Sequence, residues 1–470
     1  MDASNVFIFP REKDITGEVV SDFISKHQAK LARYKRLMDM YKGLHEILNQ
    51  KKKEAFKPDN RLVVNFAKYI VDTLNGYFIG KPIRVNHKDA EISDKINTFL
   101  KRNDQDDNNS ELSKLCSIYG HAFEFLYQDE QAETCITYNG PLDMFLVYDD
   151  TIAQKPLFGV YYKKTDDGYS GSVYTSTKEY LIENSDDGII LKDGKDLPYG
   201  DVPIIEYIEN EERQSAFENV ETLINAYNKA VSEKANDVDY FADVYMKILG
   251  AEIKQESLET IRDNRIINLF GRDVDATKII VEFMEKPNAD ETQENLIDRL
   301  ERLIYQMSMV SNINDEDFGN ASGVSLAFKL QSMENLALMK ERKFTSAMNK
   351  RFSMIFALPT NISPADKDEW RNLEYIFTRN IPHNTKEEAE TVSLLEGIIS
   401  KEDQLKLLSS INNVKEAIER LKKEREESSN SYPDEFGGGI DGEQGILGET
   451  ADSTVEASGE ERETNAGQAG

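Results

Sequence analysis

Two long helical patterns separated by a short mixed segment constrain the fold of this chain more than any other feature. In the first, residues 217–249, apolar side chains recur at steps of three and four along one face, and carboxylates dominate the other. In the second, residues 289–310, the apolar positions follow a heptad-like seam: Leu296, Leu300, Leu303, Met307 and Val310. These patterns predict two long helices paired as a hairpin, with a small α/β insert at its tip.

The rest of the chain alternates between helical and strand patterns. Residues 62–75 predict a buried helix. Residues 121–208 have the Val, Ile, Tyr, Phe and Thr content of strands, with Asp-Gly turn signals between them, and predict one antiparallel sheet. A third long helix is predicted after residue 325, and further helices follow from residue 384. The sequence therefore predicts an α+β fold.

One basic segment contrasts with an acidic composition. The formal net charge of −29 argues against a protein that grips nucleic acid by neutralising phosphates. Residues 26–61, however, contain 11 Lys or Arg against 4 Asp or Glu. We interpret this segment as a helix with a basic face. That face either contacts DNA or an acidic partner, or is a solvated surface on an acidic protein.

The cysteine count and the terminal segments exclude some classes of protein. Cys116 and Cys135 do not make a disulfide framework, and they suit a reducing compartment. The N-terminal segment lacks a signal-peptide pattern, and no apolar run is long enough for a membrane span. Residues 428–470 are rich in acids and glycine and poor in apolar groups, so we expect a disordered acidic tail.

The stretch GYFIGKPI, residues 76–83, superficially resembles a phosphate-binding loop. In that loop, G-x-x-x-x-G-K-[ST], backbone N–H groups hold the phosphates and a hydroxyl binds Mg²⁺. Here Gly76 and Gly80 are one residue too close, and Pro82 stands where the hydroxyl should be. We therefore expect no nucleotide binding. The pattern predicts a helix that ends at Gly76, followed by an extended segment.

No catalytic set is recognisable in the sequence. The five histidines are scattered, with no HExxH pair and no Cys/His cluster. We interpret His121 as structural, and Asp149 and Asp150 as parts of a strand-end turn. We therefore predict no enzyme activity, and no catalytic, cofactor-binding or metal-binding residues. The open alternative is a metal-dependent nucleic-acid-processing enzyme subunit that holds Mg²⁺ at Asp104, Asp106 and Asp107.

Several longer stretches resemble one known family, the portal proteins of tailed double-stranded DNA bacteriophages. The resemblance is to the branch common in long-tailed phages of Gram-positive hosts, and it covers roughly residues 30–425 in the same order. The long stretch at 201–252 is the specific one. The matching stretches are NRLVVNFAKYIVDTLNGYFIGKPI (60–83), IYGHAFEFLY (118–127), DVPIIEYIENEERQSAFENVETLINAYNKAVSEKANDVDYFADVYMKILGAE (201–252), GNASGVSLAFKLQSMENLALMKERKF (319–344) and FTRNIPHNTKEEAE (377–390).

The resemblance implies a portal fold with long stem helices, an antiparallel-sheet wing, a small α/β clip and a helical crown, assembled as a ring oligomer. Its segments would be an N-terminal segment with the first part of the wing (1–216), a stem helix (217–243), the clip (244–288), a second stem helix (289–310), the tunnel loop (311–324), the tunnel helix with the second part of the wing (325–383), the crown (384–427) and the acidic tail (428–470).

The resemblance also implies a function and a set of partners. Such a ring, a dodecamer in the family, occupies one capsid vertex of the virion, where double-stranded DNA is packaged and later ejected. Its partners would be further copies of itself, the DNA, the large terminase, head–tail connector or adaptor proteins, and the major capsid and scaffolding proteins. It would assemble in the host cytoplasm, with no membrane partner and no cofactor. A non-channel scaffold or adaptor of the head is a second alternative.

Two groups of residues are candidates for the contacts of such a ring. The loop SNINDEDFGNASG would pass the DNA, because carboxylates repel a phosphate backbone while asparagines offer weak, exchangeable hydrogen bonds. Its candidate residues are Asn312, Asn314, Asp315, Glu316, Asp317, Asn320 and Ser322. In the clip, Arg272 and Lys278 are the candidates for docking a partner protein.

Overall fold

The structure, a computed structural model, forms two compact units, Met1–Pro382 and His383–Gly470. The residues that it describes are 6–53, 58–186, 188–242, 246–249, 280–283, 290–313, 323–381, 385–408, 411 and 414–429.

In the described part of the first unit, long helices alternate with a strand-rich region. The helices are α1 (Gly17–Tyr41), α2 (Phe66–Ile79), α3 (Ala90–Arg102), α4 (Gln105–Tyr119), α5 (Glu221–Ala242), α6 (Asp290–Ser308) and α7 (Gly323–Ala357). The strands are β1 (Phe7–Phe9), β2 (Arg84–Asn86), β3 (His121–Gln128), β4 (Thr134–Asn139), β5 (Met144–Asp149), β6 (Pro156–Thr165), β7 (Gly168–Tyr174), β8 (Lys178–Ser185), β9 (Gly188–Asp196), β10 (Ile204–Ile208), β11 (Met246–Leu249), β12 (Ile280–Phe283) and β13 (Glu374–Ile376).

The strands form two larger sheets and two hairpin-sized pairs. A six-stranded sheet has the order β1-β5-β6-β7-β8-β9, in which only the β1–β5 pair is parallel. A three-stranded antiparallel sheet has the order β10-β3-β4. Strand β13 pairs with β2, and β11 pairs with β12. The single sheet expected over 121–208 is therefore wrong, because β3, β4 and β10 leave the meander and form a sheet of their own.

Strand β5 explains why the region splits into two layers. All six of its residues are buried, and they alternate between two separate apolar clusters. Phe145 and Val147 face α1, whereas Met144 and Leu146 face the three-stranded sheet. Since successive strand residues point to opposite faces, a strand whose residues 144–148 are all apolar is covered on both sides.

The helix that the sequence predicts over 26–61 ends much earlier. Helix α1 stops at Tyr41, and Gly43 has a φ of +82°, a conformation that favours glycine. Helix α2 also differs from the prediction, because it continues through Gly76 to Ile79, and the N–H of Gly80 donates to the Gly76 carbonyl at 3.1 Å. A glycine inside a helix costs only about 1 kcal/mol. Burial of the flanking apolar residues outweighs that cost.

Helix α7 is anchored by two buried cations. Lys340 is 2% exposed and donates to Glu209 and to the Ser117 hydroxyl, each at 2.6 Å. Arg351 is fully buried and is paired with Glu124 of β3. Buried charges are stable only when paired, so these contacts determine how α7 packs on α4 and on the three-stranded sheet.

The described part of the second unit is helical, with α8 (Thr385–Leu394), α9 (Lys401–Lys406) and α10 (Val414–Ser429). Ser400 caps α9 through a hydrogen bond from the Asp403 N–H to its hydroxyl, at 3.1 Å. Gln404 Nε2 donates to the Leu395 carbonyl at 2.9 Å, which joins α9 to the end of α8. The candidate acidic tail, 428–470, lies outside the described residues apart from its first two positions.

Candidate functional site

Helices α5 and α6 form an antiparallel hairpin, as the sequence predicts. An ion pair joins Lys234 to Glu294, and Gln293 donates to Asp237 at 2.8 Å. Nearer the base of the hairpin, Asn219 Nδ2 donates to the Met307 carbonyl, also at 2.8 Å. Each helix is about 30 Å long at 1.5 Å per residue.

The predicted seam of α6 is only partly correct. Leu300 and Val310 are buried, but Leu296 is 50% exposed and Met307 is 46% exposed. The side chains that α6 buries against α5 and the core are instead Ile297, Leu300, Ile304 and Ser308. Leu296 and Met307 therefore lie on a second apolar stripe of α6, which stays about half exposed.

The tip of the hairpin is described only in part. Strands β11 and β12 pair antiparallel, with Met246 opposite Phe283 and Leu249 opposite Ile280. The remainder of the 244–288 segment, with Arg272 and Lys278, lies outside the described residues.

The candidate DNA loop connects α6 to α7, and the residues that enter it are held by one tyrosine. The Tyr69 hydroxyl donates to the Ser311 carbonyl at 3.0 Å and accepts from the Ile313 N–H at 2.9 Å. The Ser311 hydroxyl donates to the Lys329 carbonyl of α7 at 2.8 Å. Asn312 lies between Ser311 and Ile313, the two residues that Tyr69 holds, and is half-buried. The other candidates lie outside the described residues: Asn314, Asp315, Glu316, Asp317, Asn320 and Ser322.

An extended segment lies along the flank of α5, and the sequence analysis missed it. Three backbone N–H groups of this segment donate to side chains of α5: Asn60 to Asn236 at 2.6 Å, Leu62 to Ser232 at 2.9 Å, and Val64 to Asn228 at 2.8 Å. Two residues of extended chain span about 6.6 Å, and four residues of helix span about 6 Å. Because these repeats match, alternate N–H groups meet side chains spaced by four along the helix.

We expect Asn228→Ala to lower the free energy of unfolding by about 1–3 kcal/mol, because it removes the acceptor of the Val64 N–H and one hydrogen-bond partner of the buried His45. The matched control is Lys229→Ala, an exposed position on the same helix. Urea unfolding monitored by circular dichroism would compare the two variants. Equal stabilities would contradict the role of this ladder of hydrogen bonds.

The basic face of residues 26–61 is partly paired within the chain. Arg33 binds Glu218 through Nε at 2.7 Å, and Arg36 Nε binds Glu221 at 3.0 Å. Lys53 forms an ion pair with Glu233 of α5 at 2.8 Å. The acidic partner of these three cations is therefore the start and flank of α5. These three cations therefore fit neither of the two interpretations of the basic face, an external contact or a solvated surface.

His121 belongs to a buried polar cluster that joins four elements, α1, β3, β5 and β10. The Glu206 carboxylate accepts from His121 Nδ1 at 2.6 Å, from Arg213 Nε at 2.7 Å, and from the Tyr148 hydroxyl. The Tyr34 hydroxyl donates to His121 Nε2 at 2.9 Å. Burial lowers the pKa of His121 despite the adjacent carboxylate. Burial alone would raise the pKa of Glu206, but Arg213 and His121 hold it well below its ordinary value.

Both ring nitrogens and both carboxylate oxygens of this cluster are engaged, which fits the structural role predicted for His121. In the described residues, no group of three or more His, Cys, Asp or Glu side chains could hold a metal ion, and Asp104, Asp106 and Asp107 form no such group. Asp149 Oδ1 accepts from the N–H groups of Thr151 and Lys155, so it is a turn residue as predicted.

The cysteines and the helix lengths add two further facts. Cys116 and Cys135 are both free thiols. None of the described helices has the length and apolar character needed to cross a membrane.

Comparison with known proteins assigns the chain to a family. Residues 21–431 match the family model of the phage portal protein, SPP1 Gp6-like. The chain belongs to this portal family. The prediction of a phage portal protein is confirmed, and with it the prediction of a structural protein of the virion capsid rather than an enzyme.

Two curated relatives carry the same name at low sequence identity. The portal protein of Bacillus phage SPP1 is 24% identical over 415 residues, which cover 83% of this chain and 80% of that protein. The portal protein of Clostridium phage phiCD119 is 22% identical over 240 residues, 51% of this chain and 52% of that protein. A chain from the neck of an empty GTA particle, computed with C6 symmetry, is 11% identical, with a TM-score of 0.46 over 73% of this chain and 89% of that one.

Proposed function

We propose that this portal chain assembles into a closed ring of twelve copies at one capsid vertex, and that double-stranded DNA passes through the ring during packaging and ejection. The observation that carries the proposal is the family match over residues 21–431, which includes the whole α5–α6 hairpin. A cyclic ring uses head-to-tail contacts that close on themselves. An elongated hairpin suits such a ring, because it offers each neighbour a long flank.

The segments take their roles in this proposal from the portal architecture. Helices α5 and α6 are the stem, and the segment 244–288 between them is the clip. Residues 1–216, with the two larger sheets, are the N-terminal segment and the first part of the wing. Residues 325–383 are the tunnel helix and the second part of the wing. The helices from residue 384 onward are the crown, which faces the capsid interior. Ring assembly takes place in the host cytoplasm.

The loop that joins α6 to α7 faces the DNA in this proposal. Its entry is held by Tyr69, whose hydroxyl bonds on both sides of Asn312. An anchored base with acids in the middle suits a surface that DNA slides past, since carboxylates repel phosphates at short range. Asn312, Asn314 and Asn320 would add exchangeable hydrogen bonds, and Ser322 another, beside the charges of Asp315, Glu316 and Asp317.

The clip is the proposed docking surface for the large terminase and for head–tail connector or adaptor proteins, while scaffolding and major capsid proteins contact the ring elsewhere. We expect the double charge reversal Arg272→Glu with Lys278→Glu to leave ring formation intact and to weaken binding of terminase or adaptor. Pull-down on immobilised rings would measure this. The matched control reverses Lys163 and Lys164, two exposed positions on β6. Lost assembly with unchanged partner binding would contradict the docking role.

The decisive experiment for the proposed function is electron microscopy of the purified chain in negative stain, followed by in vitro DNA packaging. We expect rings with an axial hole, and packaging that requires them. Particles without a hole would favour a scaffold or adaptor. Metal-dependent nuclease activity in the purified chain would favour a nucleic-acid-processing enzyme subunit instead.

A further inference from the structure

Two partly exposed apolar surfaces lie beside the α5–α6 hairpin. The first, here called the strand patch, consists of Leu44, Leu48, Leu62 and Val64, which are 55%, 39%, 42% and 37% exposed. The second, here called the α6 stripe, consists of the exposed Leu296 and Met307 and the half-buried Leu303. Contiguous exposed apolar side chains in an otherwise charged protein commonly mark an interaction surface.

The two surfaces lie on different flanks of the hairpin. Asn228, Ser232 and Asn236 of α5 hold the extended segment that carries Leu62 and Val64. A different side of α5, with Lys234 and Asp237, contacts α6. At 100° per residue, these two sides of α5 are well over a right angle apart. One surface therefore borders α5 and the other borders α6, so they are two different surfaces, as a head-to-tail contact uses.

The hydrogen bonds also fix the height of each surface along the hairpin. The backbone N–H of Leu62 donates to Ser232 of α5. Two residues further along α5, Lys234 pairs with Glu294 of α6. Because the helices are antiparallel, Leu62 lies level with Leu296. Met307 lies near the base of the hairpin, where its carbonyl bonds to Asn219.

The charges around the two surfaces are opposite in sign. Residues 42–53, which include half of the strand patch, contain four lysines and one glutamate, and three of the lysines remain for an external contact because Lys53 pairs with Glu233 of α5. Helix α6 contains five carboxylates and two guanidinium groups, a net charge of −3. Complementary charge favours association of the two surfaces and fixes their relative orientation.

We propose that the strand patch of one copy packs on the α6 stripe of the next copy, with Leu62 beside the neighbour's Leu296. The inference rests on the proposed ring. Copies related by a cyclic axis sit at the same height, so if the hairpin runs along that axis, side chains at equal heights on neighbouring copies face each other. The contact is heterologous, because two different surfaces of the same chain meet.

The test is disulfide cross-linking of rings. In a Cys135→Ser background, we combine Leu62→Cys with Leu296→Cys and oxidise the assembled protein. We expect a ladder of covalent multimers on a non-reducing gel that extends to the full ring. The control pair is Leu62→Cys with Met307→Cys. Residue 307 is about 16 Å further along α6, beyond the separation of about 7 Å between Cα atoms that a disulfide tolerates, so we expect no ladder.

Several outcomes overturn the inference. Rings seen by microscopy without a ladder exclude this contact while leaving the proposed function intact. A ladder of equal strength from the control pair excludes the register. A covalent dimer from Leu62→Cys alone indicates that like patches meet, which is an isologous contact. A parent protein that forms no rings overturns the proposed function itself, and the contact with it.

A second measurement does not depend on cross-linking. We expect Leu62→Asp and Leu296→Asp each to shift the protein from rings to smaller species in size-exclusion chromatography. The matched control is Leu181→Asp, which changes a leucine on β8 that is 41% exposed, much like Leu62. Unchanged assembly of both variants, or equal disruption by the control, would show that these leucines serve a different partner or none.

Discussion

Arg351→Met will lower the free energy of unfolding of the first unit by about 3–5 kcal/mol, because it leaves a buried carboxylate without its counter-ion. Arg351 is fully buried and Glu124 is 1% exposed. The guanidinium Nε lies 2.8 Å from Glu124 Oε1, and Nη2 donates to Asn109 at 2.8 Å. Burial alone would lower the pKa of Arg351, but the Glu124 carboxylate outweighs it and holds the pKa above its ordinary value. The cation therefore stays charged, and its removal is costly.

The measurement is urea unfolding followed by the fluorescence of Trp370, the only tryptophan, which packs against the main apolar cluster. Lys192→Met is the control, since Lys192 is 63% exposed and lies 3.0 Å from Glu183, which is itself 53% exposed. An exposed pair of this kind contributes at most about 1 kcal/mol. Combining Arg351→Met with Glu124→Leu should recover much of the loss, because both charges are then absent. Equal stability of the two single variants would refute the anchoring role of Arg351.

Replacing Asp315, Glu316 and Asp317 with lysine together will slow or stall DNA packaging, most strongly at low salt. Each lysine that reaches a phosphate releases a counterion. The slope of the logarithm of DNA affinity against the logarithm of salt concentration should therefore become more negative by about 0.9 per contact. A surface that DNA slides past would become one that holds it. Rings should still assemble, because the Tyr69 anchor of the loop entry is unchanged. In vitro packaging across a salt series is the measurement.

Two controls separate attraction from net charge. The first control is the triple variant Asp315→Asn, Glu316→Gln and Asp317→Asn. It removes the negative charges without adding positive charges that bind phosphate, so packaging should remain close to that of the parent. Lysines at three exposed acids near the hairpin turns of the six-stranded sheet reproduce the same change in charge elsewhere, at Asp166, Asp167 and Asp186. Parental packaging rates for the loop variant at every salt concentration would remove this loop from the mechanism.

Elements with long, repeated local patterns could be predicted from the sequence. The α5–α6 hairpin follows from helical periodicity on both sides of a short insert, and the strands of 121–208 follow from their composition and turn signals. The family could be recognised from five stretches of sequence alone, and the match of the family model to residues 21–431 confirms it. Element boundaries were less predictable, as Gly76 and the early end of α1 at Tyr41 demonstrate.

Features that depend on distant partners could not be predicted in the same way. The acceptors for the backbone N–H groups of Asn60, Leu62 and Val64 lie more than 160 residues later in the chain. The basic residues of α1 left open either an external partner or a solvated face, but Arg33 and Arg36 pair with Glu218 and Glu221 of the same chain. The local sequence shows the charge and periodicity of a segment, but it does not identify which distant segment will pack against it.

The sequence by itself determined the α+β class, the helix hairpin and the membership of the portal family, because these depend on local periodicity and on residue order. Only the tertiary structure decided which faces of those helices are buried. The heptad-like spacing of α6 is compatible with two neighbouring stripes, and the contacts of α5 bury the one with Ile297 and Ile304 while Leu296 stays exposed. The physical reason is that a period of 3.6 residues sets the angle between side chains, whereas burial is set by the neighbour that packs against them.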